Sequence, residues 1–170
     1  MLLGSLNVLG QEPTLEMEEV DQSRGLFFDQ CLGVWEGKMY IHGGGKLRDS
    51  VDIRFTCAPT DTLGRYVWRM DYLSEQRPMV KDYRLVVKDA ERGLYIMDEG
   101  NGVELMEFVV GNKMYSNFKM GPTILTSSME RLGESLVFEV TSGTERADGQ
   151  DLISFTVDYV QRVILMPIKE

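Results

Sequence analysis

The run Gly33-Val34-Trp35-Glu36-Gly37-Lys38-Met39-Tyr40-Ile41-His42 decides the fold. Trp35, Gly37, Met39 and Ile41 fall on one parity while Glu36, Lys38, Tyr40 and His42 fall on the other, the period-two pattern of a half-buried β-strand. The first set therefore faces a core. Gly43, Gly44, Gly45 and Lys46 supply a flexible turn, after which Val51, Ile53, Phe55 and Cys57 alternate with Asp52, Arg54 and Thr56, so that the two stretches form a hairpin.

The same pattern continues along the chain. Tyr66, Trp68, Met70 and Tyr72 share a face opposite Arg65, Val67, Arg69 and Asp71, and Tyr83, Leu85 and Val87 oppose Asp82, Arg84 and Lys88. Gly93–Asp98 adds a strand. Val103–Val110 and Lys113–Met120 flank the turn Gly111-Asn112, and Ile124–Glu130, Ser135–Thr141 and Leu152–Leu165 complete a series of roughly ten strands, with Ser142–Asp151 open to being a longer loop. Short connections favour pairing between sequence neighbours, and closure removes the exposed edges of such a row. The expected fold is all-β: a closed antiparallel up-and-down meander barrel.

Between Pro13 and Leu32 the alternation is absent. Thr14 can cap a short helix whose early acidic residues suit its positive end, and Leu26, Phe27, Phe28 and Cys31 form an apolar patch able to plug one barrel end. Met1–Gly10 is uncharged and Leu-rich, too short to span a membrane and without a basic start, which suits the remnant of an export signal as well as a frayed apolar end. The expected organisation is that remnant followed by one domain over residues 11–170, which is exported to a periplasmic or extracellular space if the remnant is one and is otherwise cytoplasmic.

The 170 residues carry 18 Lys and Arg against 27 Asp and Glu, a net charge of −9. That balance repels phosphate backbones and anionic lipid surfaces, so neither nucleic acid nor stable membrane insertion is expected. Cys31 and Cys57 are the only cysteines, with no metal or redox spacing; Cys31 lies just before the first strand and Cys57 near the end of the second, so a disulfide and a pair of free thiols are both open. No cofactor motif is present. His42-Gly43-Gly44-Gly45 matches an esterase oxyanion string, but there is no G-x-S-x-G elbow and no second His, so the glycines read as a hairpin turn.

At Gly33-Val34-Trp35 the chain resembles the calycin superfamily, the lipocalins and their relatives, whose G-x-W opens the first barrel strand behind a short helix. The resemblance implies a lipocalin-like barrel closed by a late-strand Arg lying across the Trp, here Arg162 over Trp35, a cation–π contact. A T-D-Y triplet of the lipocalin kind is replaced by Val157-Asp158-Tyr159, and the stretch Gly43–Ser50 is too short for the helical pair of fatty-acid-binding proteins. A late-strand haem-binding His of the nitrobindin kind is also missing, since the single His is His42.

The residues expected to line the interior are Met39, Phe55, Tyr66, Trp68, Met70, Tyr83, Met114, Phe118, Phe138 and Tyr159. In a barrel of this strand number such side chains either fill the core or wall a ligand cavity, and Met with Tyr makes an adaptable wall bearing a few hydroxyls. Three functions follow: a binding protein for a small apolar or amphipathic ligand, with no chemistry; a filled barrel that binds a partner on its outer surface; or an enzyme. The last requires an inward Asp or Glu of perturbed pKa, and the alternation predicts none. Oligomeric state is not set by the sequence.

Overall fold

The computed structural model describes residues 26–147 and 152–168. The expected signal remnant Met1–Gly10 and the helix start at Thr14 lie outside them; of the expected helix, Leu26–Cys31 forms a single turn held by i→i+3 backbone bonds such as Cys31 N to Phe28 O at 2.9 Å.

The strands are β1 (Gly33–Gly43), β2 (Lys46–Pro59), β3 (Arg65–Tyr72), β4 (Met79–Asp89), β5 (Leu94–Asp98), β6 (Glu104–Val110), β7 (Lys113–Met120), β8 (Thr123–Leu132), β9 (Ser135–Ala147), β10 (Ile153–Phe155) and β11 (Tyr159–Pro167). Each of β1 to β9 pairs antiparallel with its neighbour in sequence. β11 then joins β9 to β1, with Tyr40 opposite Arg162, and closes a meander barrel of ten strands. The short β10 pairs with the far end of β9 on the same edge as β11. Gly143 permits that junction, since a Cβ there would collide with the backbone carbonyl of Thr156.

Two glycine sites explain how the expected strands meet. Gly44 and Gly45 have φ of 57° and 70°, the left-handed pair of a two-residue hairpin turn. Gly37, on the inward parity of β1, lies so close to β11 that a Cβ would strike the Ile164 carbonyl and the Val163 side chain. Two boundaries differ from expectation: β9 extends to Ala147, so most of the loop expected over 142–151 is strand, because β10 and Thr156 pair along it, and the single strand expected over Leu152–Leu165 is divided into β10 and β11.

The inward parity follows the sequence. Trp35, Met39, Ile53, Phe55, Trp68, Met70, Leu85, Met114, Leu136, Val163 and Leu165 are buried in one continuous core, at about 25 cal/mol per Å² of apolar surface removed from water. β6 breaks the rule. Its outward residues Met106, Phe108 and Val110 are exposed, while Leu105, Glu107 and Val109 face inward.

Candidate functional site

The end of the barrel where β1 begins is solid. Phe28, carried by the Leu26–Cys31 turn, is fully buried with its ring 4.5 Å from Tyr95, 5.3 Å from Tyr66 and 6.2 Å from Trp68 between centroids. Phe55 packs against Trp68 at 4.7 Å. Beneath the turn, Trp35 Nε1 donates to the Cys31 carbonyl at 2.8 Å, which ties the turn to the first strand. Phe55 and Tyr66, expected among the ligand-facing residues, instead take part in this packing, with the Asp29 carboxylate raising the Tyr66 phenol beyond the effect of burial. Met39, also expected there, is fully buried in the core and does not line the hollow end. The parity of all three is as the sequence implies.

Towards the opposite end the barrel is hollow. A cavity of about 110 Å³ opens near the β3–β4 and β5–β6 connections. Six of the expected residues line it: Trp68, Met70, Tyr83, Met114, Phe118 and Phe138. Met97 and Met129 deepen its floor, and Leu105, Leu125 and Val140 extend its walls, so the thioethers of four methionines surround the inner part. Ser127 and Ser128 are its uncharged polar groups on β8. Such a chamber is apolar with a few placed polar groups, the usual make-up of a small-molecule site.

At the mouth stand Tyr72, Lys81, Tyr83 and Glu99. Tyr83 hydrogen-bonds Glu99, and burial, reinforced by that carboxylate, pushes its phenol up to about 12. Burial lowers the Lys81 ammonium, with the charge of Glu99 opposing the shift. Lys81 also approaches the Tyr72 ring at 5.8 Å.

Deeper in the chamber is a group the sequence reading missed. Glu107 is only 4% exposed, sits opposite Tyr95 in the β5–β6 register and contributes to the cavity wall. Burial pushes its carboxyl up to about 8, with the neighbouring Ser116 hydroxyl acting in the opposite sense. Ser116, also buried, donates to the Met106 carbonyl at 2.8 Å. The absence of an inward carboxylate, expected from the alternation, is thus corrected. β6 carries apolar residues on both parities, so its pattern has no phase from which Glu107 could be placed.

Two further expectations are corrected. Tyr159 has the inward parity of β11 but is 50% exposed, because it lies at the strand's end, beyond the chamber, against Gly43. The cation over Trp35 is Arg131 of β8, 4.8 Å from the ring centroid, whereas Arg162 points outward to Glu139 at 3.3 Å. Arg162 lies opposite Tyr40, on β1's outward parity, and so cannot reach the inward indole. Of the two states open to the cysteines, the structure has buried free thiols at Cys31 and Cys57, with Cys57 Sγ 4.0 Å from the Phe28 carbonyl. Both thiols are pushed above their ordinary pKa by burial.

The acidic turn after β5 is occupied internally: Asp98 pairs with Arg65 at 3.0 Å and accepts from Gly100 N, and Asn101 accepts from Val103 N. Among the described residues no three His, Cys, Asp or Glu side chains gather as a metal site. Among them, too, no helix is long and apolar enough to cross a membrane.

No protein-family model matches the chain, and no curated protein matches it significantly. Solved structures do. A protein of unknown function from the DUF3598 family of Nostoc punctiforme superposes with a TM-score of 0.60 at 10% identity, over 85% of this chain and 50% of that one. The chain therefore spans half the length of that relative. The S-type phycobiliprotein lyase of Guillardia theta superposes with a TM-score of 0.58 at 12% identity, over 85% of this chain and 92% of that one. The likeness is one of fold. Together with the closed ten-strand ring it fits a calycin-like fold and shows no family.

Proposed function

We propose that the protein binds one small, mainly apolar molecule inside the barrel, without covalent chemistry. The observation that carries this reading is the chamber of about 110 Å³, walled by aromatic rings and methionines and plugged at its inner end by Phe28. Packing normally leaves few voids larger than a water in a core, and an engineered apolar cavity of about 150 Å³ is known to take up benzene. The solved neighbour described as a phycobiliprotein lyase has the same fold and lends support. The hollow end speaks against a filled barrel, and Glu107 supplies the carboxyl that an enzyme reading lacked; the lining still favours binding, because burial alone accounts for the upward shift of Glu107.

The test uses protein labelled with ¹³C at its methionine methyls. Titration with 1-hexanol is expected to shift the resonances of Met70, Met97, Met114 and Met129 saturably, and Leu125→Trp, which places an indole in the chamber, is expected to weaken that response at least tenfold while the protein stays folded. Shifts spread evenly over all methionines, or none, would reject the reading.

A further inference from the structure

We infer that Glu107 makes the chamber selective for a protonated amine on an apolar body, an alkylammonium, over neutral or anionic molecules of the same size; this rests on the chamber being a ligand site. The carboxyl is almost wholly buried, lines the cavity and has no cationic partner there: the lysine of the lining, Lys81, stands at the mouth beside Glu99. An anionic head group would thus meet a carboxyl at depth and only one cation at the entrance. An ammonium would meet a carboxylate and, on the way, the faces of Trp68, Tyr72, Tyr83 and Phe118, which attract cations through their ring quadrupoles.

The groups facing Glu107 are compatible with this pairing. On β5 stand Tyr95 and, at the strand's end, Glu99; on β4, Lys81 and Tyr83; on β3, Tyr72; on β7, Ser116. The residues that β8 and β9 contribute to the wall, Leu125, Ser127, Ser128, Met129, Phe138 and Val140, are uncharged. Binding is written as Glu107–COOH plus R–NH₃⁺ giving the Glu107–COO⁻···H₃N⁺–R pair, with one proton passing to solvent. The ion pair offsets the burial that keeps the empty carboxyl protonated.

Proton release gives the inference its signature. With the carboxyl at about 8 and the amine titrating near 10.4 as Lys does, affinity for the amine rises about tenfold from pH 7 to pH 9 and falls again above about 10. Hexylamine and 1-hexanol are titrated into wild type and Glu107→Gln, read by the methionine methyls and by calorimetry in buffers of different ionisation heat. The expected result at pH 8.5 is hexylamine binding at least tenfold tighter than 1-hexanol, with close to one proton released per ligand at pH 7. Glu107→Gln should abolish both effects, with 1-hexanol titrated into the same variant to read whether the chamber is still open, while Arg162→Met, outside the chamber, should preserve them. If 1-hexanol binds but hexylamine binds no better, or if Glu107→Gln keeps the preference, the inference falls and the binding reading stands. If neither ligand moves the methyls, the binding reading itself falls.

Discussion

At the end of the barrel where β1 starts, the inward side chains of β2, β3 and β5 are capped by Phe27 and Phe28, which descend from a turn outside the sheet. At the other end, strands of the same composition and the same alternation surround empty space. The difference lies in what the sheet does not itself supply. A ring of ten strands encloses more volume than its own inward side chains fill, so a solid end needs material from outside the ring, and a hollow end is what remains where none arrives.

The most severe way to break this comparison is to remove the plug. Phe28→Ala deletes a fully buried ring with four aromatic neighbours, and a loss of about 3 to 5 kcal/mol is expected in urea unfolding. If the two ends are separately built, 1-hexanol should still shift the chamber methionines in whatever fraction stays folded.

The chamber end responds to pH instead. A carboxyl held at about 8 in the folded protein titrates near 4.3 when unfolded, so the native state binds more protons between those values and stability falls as pH rises through that window. The loss should approach about 5 kcal/mol by pH 8.5, measured as a declining unfolding free energy, and Glu107→Gln should flatten that slope. An unchanged slope would mean that the carboxyl is solvated and the chamber wetter than its walls suggest.

Smaller effects sharpen the contrast between the two arginines. Arg131→Met removes the charge above Trp35 but keeps much of the stem, and a cost of about 1 kcal/mol with a shifted Trp emission is expected. Arg131 Nη1 is buried without a hydrogen-bond partner, so the indole face is what compensates it. Arg162→Met loses only an exposed pair with Glu139 and should change stability by less than about 0.5 kcal/mol. Equal effects at the two positions would remove Arg131 from its role in closing the barrel.

Most of the fold was legible because period-two alternation survives wherever one face is wet and the other dry. Trp35 to Ile41 and Tyr66 to Tyr72 show it plainly, and their inward residues are where the pattern puts them. Position along the strand was not legible. Tyr159 and Trp68 have the same inward parity, yet one lies at the rim and the other in the interior, a difference set by register with neighbouring strands that no single segment encodes. Arg131 was missed for a related reason: it lies one residue from the end of β8, and which cation reaches Trp35 depends on how the ring closes. Glu107 was hidden by the outward Met106, Phe108 and Val110, which make both faces of β6 look apolar.

Closure also orders the making of the molecule. β1 finds one partner in β2 within a few residues, but the other, β11, lies more than a hundred residues downstream, with Tyr40 opposite Arg162. Loop-closure entropy grows only slowly with length, so the finished ring is not greatly penalised, but contacts this distant form late. Until β11 has been synthesised, the growing chain is an open sheet with β1 unpaired along one edge and its newest strand along the other. Such edges invite pairing with other chains. The last strand is therefore the element that ends the protein's exposure to aggregation, and a ribosome stalled before Tyr159 would hold the most adhesive form of this sequence.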